Sequence, residues 1–294
     1  MEFEDYASAI RAIGREINPT TLDATRALLT PLVSGTPAAD VRVQRDVAYG
    51  AHERQRCDIF TPASGDEPQR PLLIFVHGGG FVAGDKCVPG TPFYDNIGTW
   101  AVHNGCNAVN LTYRLAPEHQ WPSGIDDLHA ALTLVRERGA TLGIDGGRVF
   151  LMGQSAGAAH AASYVAHAER YAPDPHGLSG LILLSGVYDY SQQSGPLERA
   201  YLGDDTRLYA ARSSLAGLVD CDIPLLVTLA ENDPPDFERQ GLALLTALQQ
   251  KHGQLPRTAY LTGQNHLSVA LYLGLPGDLL APQLLSFIAT HSGA

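Results

Sequence analysis

A short apolar run leads directly into a Gly-x-Ser-x-Gly motif, and this junction constrains the fold more than any other stretch of the chain. Residues 149–160 read Val-Phe-Leu-Met-Gly-Gln-Ser-Ala-Gly-Ala-Ala-His, which predicts a buried strand, a sharp turn at Ser155 and a helix. Gly153 and Gly157 have no Cβ, so strand and helix can approach closely while the serine adopts a strained backbone conformation. The pattern indicates a nucleophilic serine. The alternative is a glycine-rich turn whose serine has no chemical role.

Other apolar segments predict the sheet around this strand. Alternating or continuous apolar stretches predict strands at residues 41–49, 56–60, 72–76, 107–113, 149–152, 181–184, 225–229 and 258–261. Helices are expected at residues 92–104, 123–138, 156–169, 235–252 and 276–291. Ser123 and Asp126 resemble a capping box at the start of the second of these helices. Strands that alternate with helices predict an α/β fold, with a mainly parallel central sheet and helices on both faces.

Two segments stand outside this alternation. Residues 1–40 contain short amphipathic helices ahead of the first strand, and residues 41–294 are expected to form one domain. Residues 188–219, rich in Ser, Gly and Tyr, interrupt the alternation and predict an insertion between two strands. Ligands bind at the carboxyl ends of the strands in such sheets, so the insertion is either a lid over a pocket or an ordinary surface excursion.

Charge and cysteine usage argue against several classes of function. The formal net charge of −11 disfavours binding to nucleic acid or to an anionic membrane surface. The four cysteines include no Cys-x-x-Cys pair, so neither a disulfide scaffold nor a cysteine zinc site is expected. The acidic start of the chain lacks the features of a signal peptide, and no apolar stretch reaches the roughly 20 residues of a membrane span. A soluble cytoplasmic protein is therefore expected.

A serine nucleophile needs a base, usually histidine, and an acid that orients the base. The loop after strand 225–229 offers Glu231, Asp233 and Asp236. Asp233 is favoured because the two prolines after it stop the strand and start a helix, whose first turn would contain Asp236. Glu231, nearer the strand end, stays the alternative. His266 follows the last strand and completes the chain order Ser, Asp, His.

A glycine run after the third strand completes the expected site. Gly79 and Gly80 can present backbone N–H groups to a substrate carbonyl, together with the N–H of Ala156 directly after the serine. These donors would form an oxyanion hole. A phosphate-binding loop is disfavoured because the chain has neither a Gly-x-x-x-x-Gly-Lys-Ser/Thr pattern nor a Gly-x-Gly-x-x-Gly that opens a helix. His77, which precedes the run, is expected to be structural.

Three motifs follow one another in the chain: residues 77–85 (His-Gly-Gly-Gly-Phe-Val-Ala-Gly-Asp), 113–119 (Tyr-Arg-Leu-Ala-Pro-Glu-His) and 153–157 (Gly-Gln-Ser-Ala-Gly). Together they resemble the hormone-sensitive-lipase-like branch of the α/β-hydrolase fold, across roughly residues 40–290. The resemblance implies a cofactor-independent serine carboxylesterase that acts on short-chain acyl or aryl esters, with no metal. It also implies that the helices within residues 1–40 form part of a small cap.

The same resemblance implies roles for individual residues. The triad would be Ser155, Asp233 and His266, with oxyanion donors on Gly79, Gly80 and Ala156. An ion pair between Arg114 and either Asp126 or Asp127 would brace the site. Phe81 and Tyr188 are candidates for the walls of the substrate pocket. An exposed edge at the last strand would permit a homodimer, as relatives often form.

Departures from the family pattern leave the substrate open. Gln154 stands where an acidic residue is usual before the serine. Asn265-His266-Leu267-Ser268 differs from the usual His-Gly-Phe and is closer to arylformamidases, which share the fold and the chemistry. An arylformamidase that uses the same residues is therefore one alternative. A small-molecule receptor on a hydrolase fold is another, although the complete triad disfavours it.

Overall fold

The computed structural model describes residues 2–33, 37–64, 70–171, 177–191 and 195–293. Within these residues, one eight-stranded sheet has the strand order β1-β2-β4-β3-β5-β6-β7-β8. The strands are β1 (Val41–Ala48), β2 (Arg56–Pro62), β3 (Leu72–Val76), β4 (Asn107–Leu111), β5 (Val149–Gln154), β6 (Leu178–Leu184), β7 (Leu225–Asn232) and β8 (Arg257–Asn265). β2 pairs antiparallel with β1 and β4, and all other pairs are parallel. The predicted, mainly parallel α/β sheet is confirmed.

The central strands are apolar on both sides because each side faces its own core. In β3, Leu72, Ile74 and Val76 belong to one hydrophobic cluster, whereas Leu73 and Phe75 belong to another. This alternation follows from the two-residue period of a strand, which directs successive side chains to opposite faces. Continuous apolar runs therefore mark strands that are covered by helices on both faces.

The five helices predicted between the strands and the two near the N-terminus fall close to their predicted positions, and four further short helices in the described residues were not predicted. The helices are α1 (Phe3–Ile13), α2 (Pro19–Leu29), α3 (Asp95–His103), α4 (Ser123–Leu142), α5 (Ala156–Ala166), α6 (Pro196–Leu202), α7 (Tyr209–Arg212), α8 (Leu215–Asp220), α9 (Pro235–His252), α10 (Ser268–Leu271) and α11 (Leu280–His291). Helices α4, α5 and α9 cover one face of the sheet, and α3 and α11 cover the other.

The capping box expected at the start of α4 does not form. Pro122 occupies the N-cap position, and no side chain caps this helix end. The Ser123 hydroxyl instead donates a hydrogen bond to the His119 carbonyl at 2.8 Å. The Asp126 carboxylate does not cap the helix either, because it accepts a hydrogen bond from the Tyr171 hydroxyl at 2.5 Å. The two residues have the right spacing for a capping box, but both side chains bind other groups.

The two N-terminal helices pack on the body of the fold. Tyr6 and Ile10 of α1, together with Leu29 of α2, are buried in the same cluster as Phe287 of α11. α1 lies against the edge strand β8, and α2 lies against the short helix α10. This packing places the N-terminal residues beside the strand ends that carry the polar loops.

The segment between β6 and β7 covers the carboxyl ends of the strands. Residues 192–194 of the predicted insertion lie outside the described residues, and the remainder contains α6, α7 and α8. Its aromatic side chains meet the segments after β3 and β4 and the start of α5 in a cluster that we call the carboxyl-edge cluster. That cluster contains Phe81, Ala116, Ala156, Ala159, Val187, Tyr190, Tyr201, Leu202 and Tyr209. The insertion therefore packs onto the edge where the sequence predicts the functional loops.

Arg114 pairs with Asp127, one of the two acids that the resemblance suggests. The Arg114 Nε donates to the Asp127 carboxylate at 2.8 Å, and the Arg114 backbone N–H donates to it at 2.7 Å. Gln55 donates a further hydrogen bond at 2.8 Å, and the carboxylate has no solvent exposure. This partly buried ion pair joins the segment after β4 to helix α4.

No helix in the described ranges combines the length and the apolar character that crossing a bilayer requires.

Candidate active site

Ser155 lies at the tip of the turn between β5 and α5. Its φ of +56° and ψ of −121° fall in a region that side-chain-bearing residues rarely adopt. The surrounding glycines make the turn possible. A Cβ on Gly153 would lie 2.3 Å from the Gly157 carbonyl oxygen, and one on Gly157 would lie 2.1 Å from that of Val76. The Ser155 N–H donates to the Leu184 carbonyl at 2.9 Å, which holds the turn against β6.

Asp233 and His266 meet at the carboxyl ends of β7 and β8. The His266 Nδ1 lies 2.8 Å from the Asp233 Oδ1. With Nδ1–H as the donor, Nε2 keeps its lone pair and can accept a proton. Nε2 is buried and has no hydrogen-bond partner among the described residues. The imidazole is therefore oriented on one side and available as a base on the other.

The other oxygen of Asp233 is held by groups that the sequence analysis did not identify. The Ser185 hydroxyl donates to the Asp233 Oδ2 at 2.6 Å, and the Ala230 N–H donates to the same oxygen at 2.8 Å. The carboxylate has no solvent exposure, so these hydrogen bonds replace its hydration. Ser185 is the polar residue directly after β6, and that position at a strand end was the available signal.

Glu231, the alternative acid, lies elsewhere. Its carboxylate accepts the Gly263 N–H at 2.6 Å and lies 3.6 Å from the Arg11 guanidinium. Glu231 therefore connects β8 to the N-terminal helix, while Asp233 is the acid that contacts the imidazole.

Gln154 links the serine turn to the histidine loop. Its side-chain Nε2 donates to the His266 carbonyl at 2.7 Å. Its Oε1 faces the glycine loop, since a Cβ on Gly78 would lie 2.5 Å from it. A carboxylate has no proton with which to make the first of these bonds. An amide therefore suits this position in the chain, although an acid is usual there in the family that its motifs resemble.

The glycine loop approaches the serine closely. A Cβ on Gly78 would lie 3.1 Å from the Ser155 Cβ. Gly79 and Gly80 have φ values of +132° and +59°, and no described residue accepts a hydrogen bond from either N–H. Ala156 is the first residue of α5, so its N–H has no acceptor within the helix. These three N–H groups are thus available as donors beside Ser155.

Two buried histidines support this loop in their neutral form. His77 stacks on Tyr113 with ring centroids 4.4 Å apart, and its Nδ1 contacts the Gly78 carbonyl at 2.6 Å. His160 packs edge-on against Phe81, with 5.2 Å between centroids. Burial lowers the pKa of His77 and that of His160 to about 3. Across the described ranges, no three His, Cys, Asp or Glu side chains form a group that could hold a metal ion.

The surroundings of the serine differ in part from the predicted pocket walls. Tyr188 is only 1% exposed and belongs to the core on the α4 and α5 side of the sheet, so it is a core residue rather than a wall. Phe81 is also buried, at 3% exposure, but it lies at the carboxyl edge with 4.6 Å between its ring centroid and that of Tyr201 of α6, and its role as a wall stays a prediction. Two unpredicted side chains come close: Leu197 of α6 lies over Gly80, and the ring of Phe237 lies 4.1 Å from that of His266.

Comparisons with known proteins agree with this fold. A family model for the alpha/beta hydrolase fold matches residues 73–269. Esterase LipI of Mycobacterium tuberculosis is 39% identical over 104 residues, which are 35% of this chain and 31% of that protein. Kynurenine formamidase of Salmo salar is 26% identical over 278 residues, covering 90% of this chain and 88% of that protein. The crystal structure of Esterase B from Lactobacillus Rhamnosis has a TM-score of 0.76 at 19% identity, covers 99% of this chain and 96% of its own, and shares the fold.

Replacing Gln154 tests the link between the two loops. Gln154→Met removes the donor to the His266 carbonyl and should lower the free energy of unfolding by about 1–3 kcal/mol at every pH. Gln154→Glu should cost more at pH 8 than at pH 5. The buried carboxyl has a raised pKa in the folded state, and only its protonated form can donate the hydrogen bond. Urea unfolding of both variants and of the wild type at each pH measures this difference, and an equal loss for Gln154→Glu at both pH values would contradict it.

Proposed function

The chain belongs to the α/β-hydrolase fold family, and on that premise we propose that it is a serine carboxylesterase that hydrolyses short-chain acyl or aryl esters. The observation that carries the proposal is the hydrogen bond between Asp233 and His266, on a loop that Gln154 joins to the strained turn of Ser155. This arrangement has the parts that acyl transfer requires: a nucleophile, a base and an acid that orients the base.

In the first half of the reaction, the Ser155 hydroxyl attacks the ester carbonyl. His266 Nε2 takes the hydroxyl proton as the new C–O bond forms. The imidazolium that results is stabilised by the Asp233 carboxylate through the Nδ1–H bond. His266 then gives the proton to the leaving alcohol, and the acyl group remains on Ser155.

The negative charge of the tetrahedral intermediate needs donors that are already in position. The N–H groups of Gly79, Gly80 and Ala156 supply them, and the N-terminal end of α5 adds a favourable dipole. Each such donor contributes about 3 kcal/mol to stabilisation of the transition state. In the second half of the reaction, His266 activates a water that hydrolyses the acyl-enzyme and restores Ser155.

Removal of the nucleophile should abolish the reaction. Ser155→Ala is expected to lower kcat for p-nitrophenyl butyrate on the order of 10⁶-fold, because no acyl-enzyme can form. Ser163→Ala is the matched control: it removes another buried hydroxyl from the neighbouring helix α5 and should retain activity. Labelling by a serine-directed fluorophosphonate should be lost only in Ser155→Ala. Turnover by Ser155→Ala, or a wild type that neither turns over nor is labelled, would refute the proposal; the second result would favour a receptor.

Substitution of the two candidate acids, Asp233 and Glu231, should lower kcat by very different factors. Asp233→Asn is expected to lower kcat by about 10⁴-fold, because an amide that donates to Nδ1 holds the wrong tautomer of His266. Glu231→Gln should cause a much smaller loss, since its carboxylate contacts Gly263 rather than the imidazole. Steady-state kinetics of both variants makes the comparison, and a greater loss in Glu231→Gln would reverse the assignment.

An arylformamidase remains the second candidate, and one observation favours it. The similarity to the Salmo salar kynurenine formamidase runs over 90% of this chain, whereas the more identical match to Esterase LipI covers 35%. Formamide hydrolysis would use the same triad and the same oxyanion donors, with an amine rather than an alcohol as the leaving group.

The ratio of kcat/KM for two substrates separates these candidates. The esterase proposal expects kcat/KM to be higher for p-nitrophenyl acetate and butyrate than for N-formylkynurenine. Both activities should disappear together in Ser155→Ala, because they use one nucleophile. A clear preference for N-formylkynurenine would assign the enzyme to the arylformamidases instead.

A further inference from the structure

The N-terminal helices make polar contacts that converge on the loops of Asp233 and His266. The Tyr6 hydroxyl donates to the Gln264 side chain at 2.8 Å, and the Asn265 side chain donates to the Thr25 hydroxyl at 2.8 Å. Both contacts are buried and reach the two residues directly before the histidine. A third contact, from Arg15, reaches the acid itself. The N-terminal segment thus holds both loops that form the Asp233–His266 pair.

Arg15 lies between α1 and α2 and directs its guanidinium at the backbone of Asp233. Its Nε donates to the Asp233 carbonyl at 2.8 Å, and its Nη2 shares the same oxygen. Nη2 also donates to the Glu238 carboxylate at 2.7 Å. One planar fork therefore ties the acid loop to the first turn of α9.

The local sequence explains why the Asp233 carbonyl needs a hydrogen-bond donor from a distant part of the chain. Asp233 is followed by Pro234 and Pro235, which have no N–H. The next N–H group, that of Asp236, has no acceptor among the described residues, and those of Phe237 and Glu238 both donate to the Pro234 carbonyl instead. No other donor to the Asp233 carbonyl occurs among the described residues.

We propose that Arg15 is a positioning residue that sets the orientation of Asp233 toward His266, and this inference rests on the proposed triad. Ser185 and Ala230 hold the carboxylate, and the Asp233 N–H donates to the Ala230 carbonyl, whereas the Asp233 carbonyl is held by Arg15. Loss of the guanidinium frees the peptide between Asp233 and Pro234 to rotate, and the carboxylate rotates with it. A displacement of about 1 Å at a catalytic group can cost on the order of 100-fold in rate.

Arg15→Ala should therefore lower kcat for p-nitrophenyl butyrate by about tenfold or more, with KM changed by less than about twofold. Arg15→Lys keeps the charge but loses the planar set of N–H donors, so its kcat should lie between those of the wild type and Arg15→Ala. Arg26→Ala is the matched control. It removes a guanidinium from the same N-terminal segment, but this guanidinium pairs with Asp23 at the surface. It should leave kcat unchanged.

A spectroscopic measurement separates this role from general stabilisation. The Nδ1–H proton of His266, hydrogen-bonded to Asp233, is expected to give a far-downfield ¹H resonance, and the absence of that resonance in His266→Gln would assign it. Arg15→Ala should shift or broaden this resonance at a temperature where circular dichroism shows a folded protein, and Arg26→Ala should leave it unchanged. This readout does not require turnover, so a wild type that hydrolyses no ester would refute the esterase proposal without deciding the role of Arg15.

Three results would overturn the inference. The first is an Arg15→Ala protein with wild-type kcat and an unchanged resonance. The second is a rise in KM alone, which would make Arg15 a substrate contact. We consider this outcome because Arg15 and His266 line one small cavity. The third applies if Arg15→Ala does not fold: Arg15→Lys would then decide, and wild-type kcat with an unchanged resonance in that variant would refute the positioning role.

Discussion

The carboxylate of Asp233 joins three chain segments in the interior of the protein. It accepts hydrogen bonds from Ser185 after β6, from the Ala230 N–H in β7 and from His266 after β8. A charge without solvent exposure is stable only when such donors replace water. The same contacts fix where the imidazole lies, so the burial of one charge and the orientation of one base depend on a single set of hydrogen bonds.

The order of strands in the sheet brings these segments together. β5, β6, β7 and β8 are neighbours in that order, and all of them run parallel. Their carboxyl ends therefore form one row that presents Ser155, Ser185, Asp233 and His266 in sequence. Both serines have positive φ, +56° for Ser155 and +49° for Ser185, so the chain turns sharply as it leaves each of these two strands. The insertion between β6 and β7 then packs over this row through the carboxyl-edge cluster.

Much of the fold was predictable because it depends on local patterns. Continuous apolar runs located β3, β5 and β6, and the paired prolines located the start of α9. The strands β7 and β8 extend further than predicted because polar residues continue the pairing, with Asn232 opposite Asn265. The prediction that Tyr188 lines the substrate pocket was wrong, because an aromatic residue after a strand can face the core as readily as a pocket.

The supporting contacts of the site were not predictable, because each one joins distant parts of the chain. Ser185 lies 48 residues from Asp233, Gln154 lies 112 residues from His266, and Arg15 lies 218 residues from Asp233. Strand-end position and chain order identified Ser155, Asp233 and His266 as candidates without any knowledge of these partners. The partners follow from the strand order and from the packing of the N-terminal helices on β8, which local sequence patterns do not contain.

The two neutral histidines beneath the glycine loop have a consequence for the fold as a whole. In the unfolded chain, His77 and His160 take up protons near their ordinary pKa of 6.5, whereas in the folded protein they do so only near 3. The unfolded state therefore binds more protons between these values, and the free energy of unfolding falls as the pH drops through this range. The same burial that keeps both side chains neutral in the folded protein therefore lowers its stability at acid pH through proton linkage.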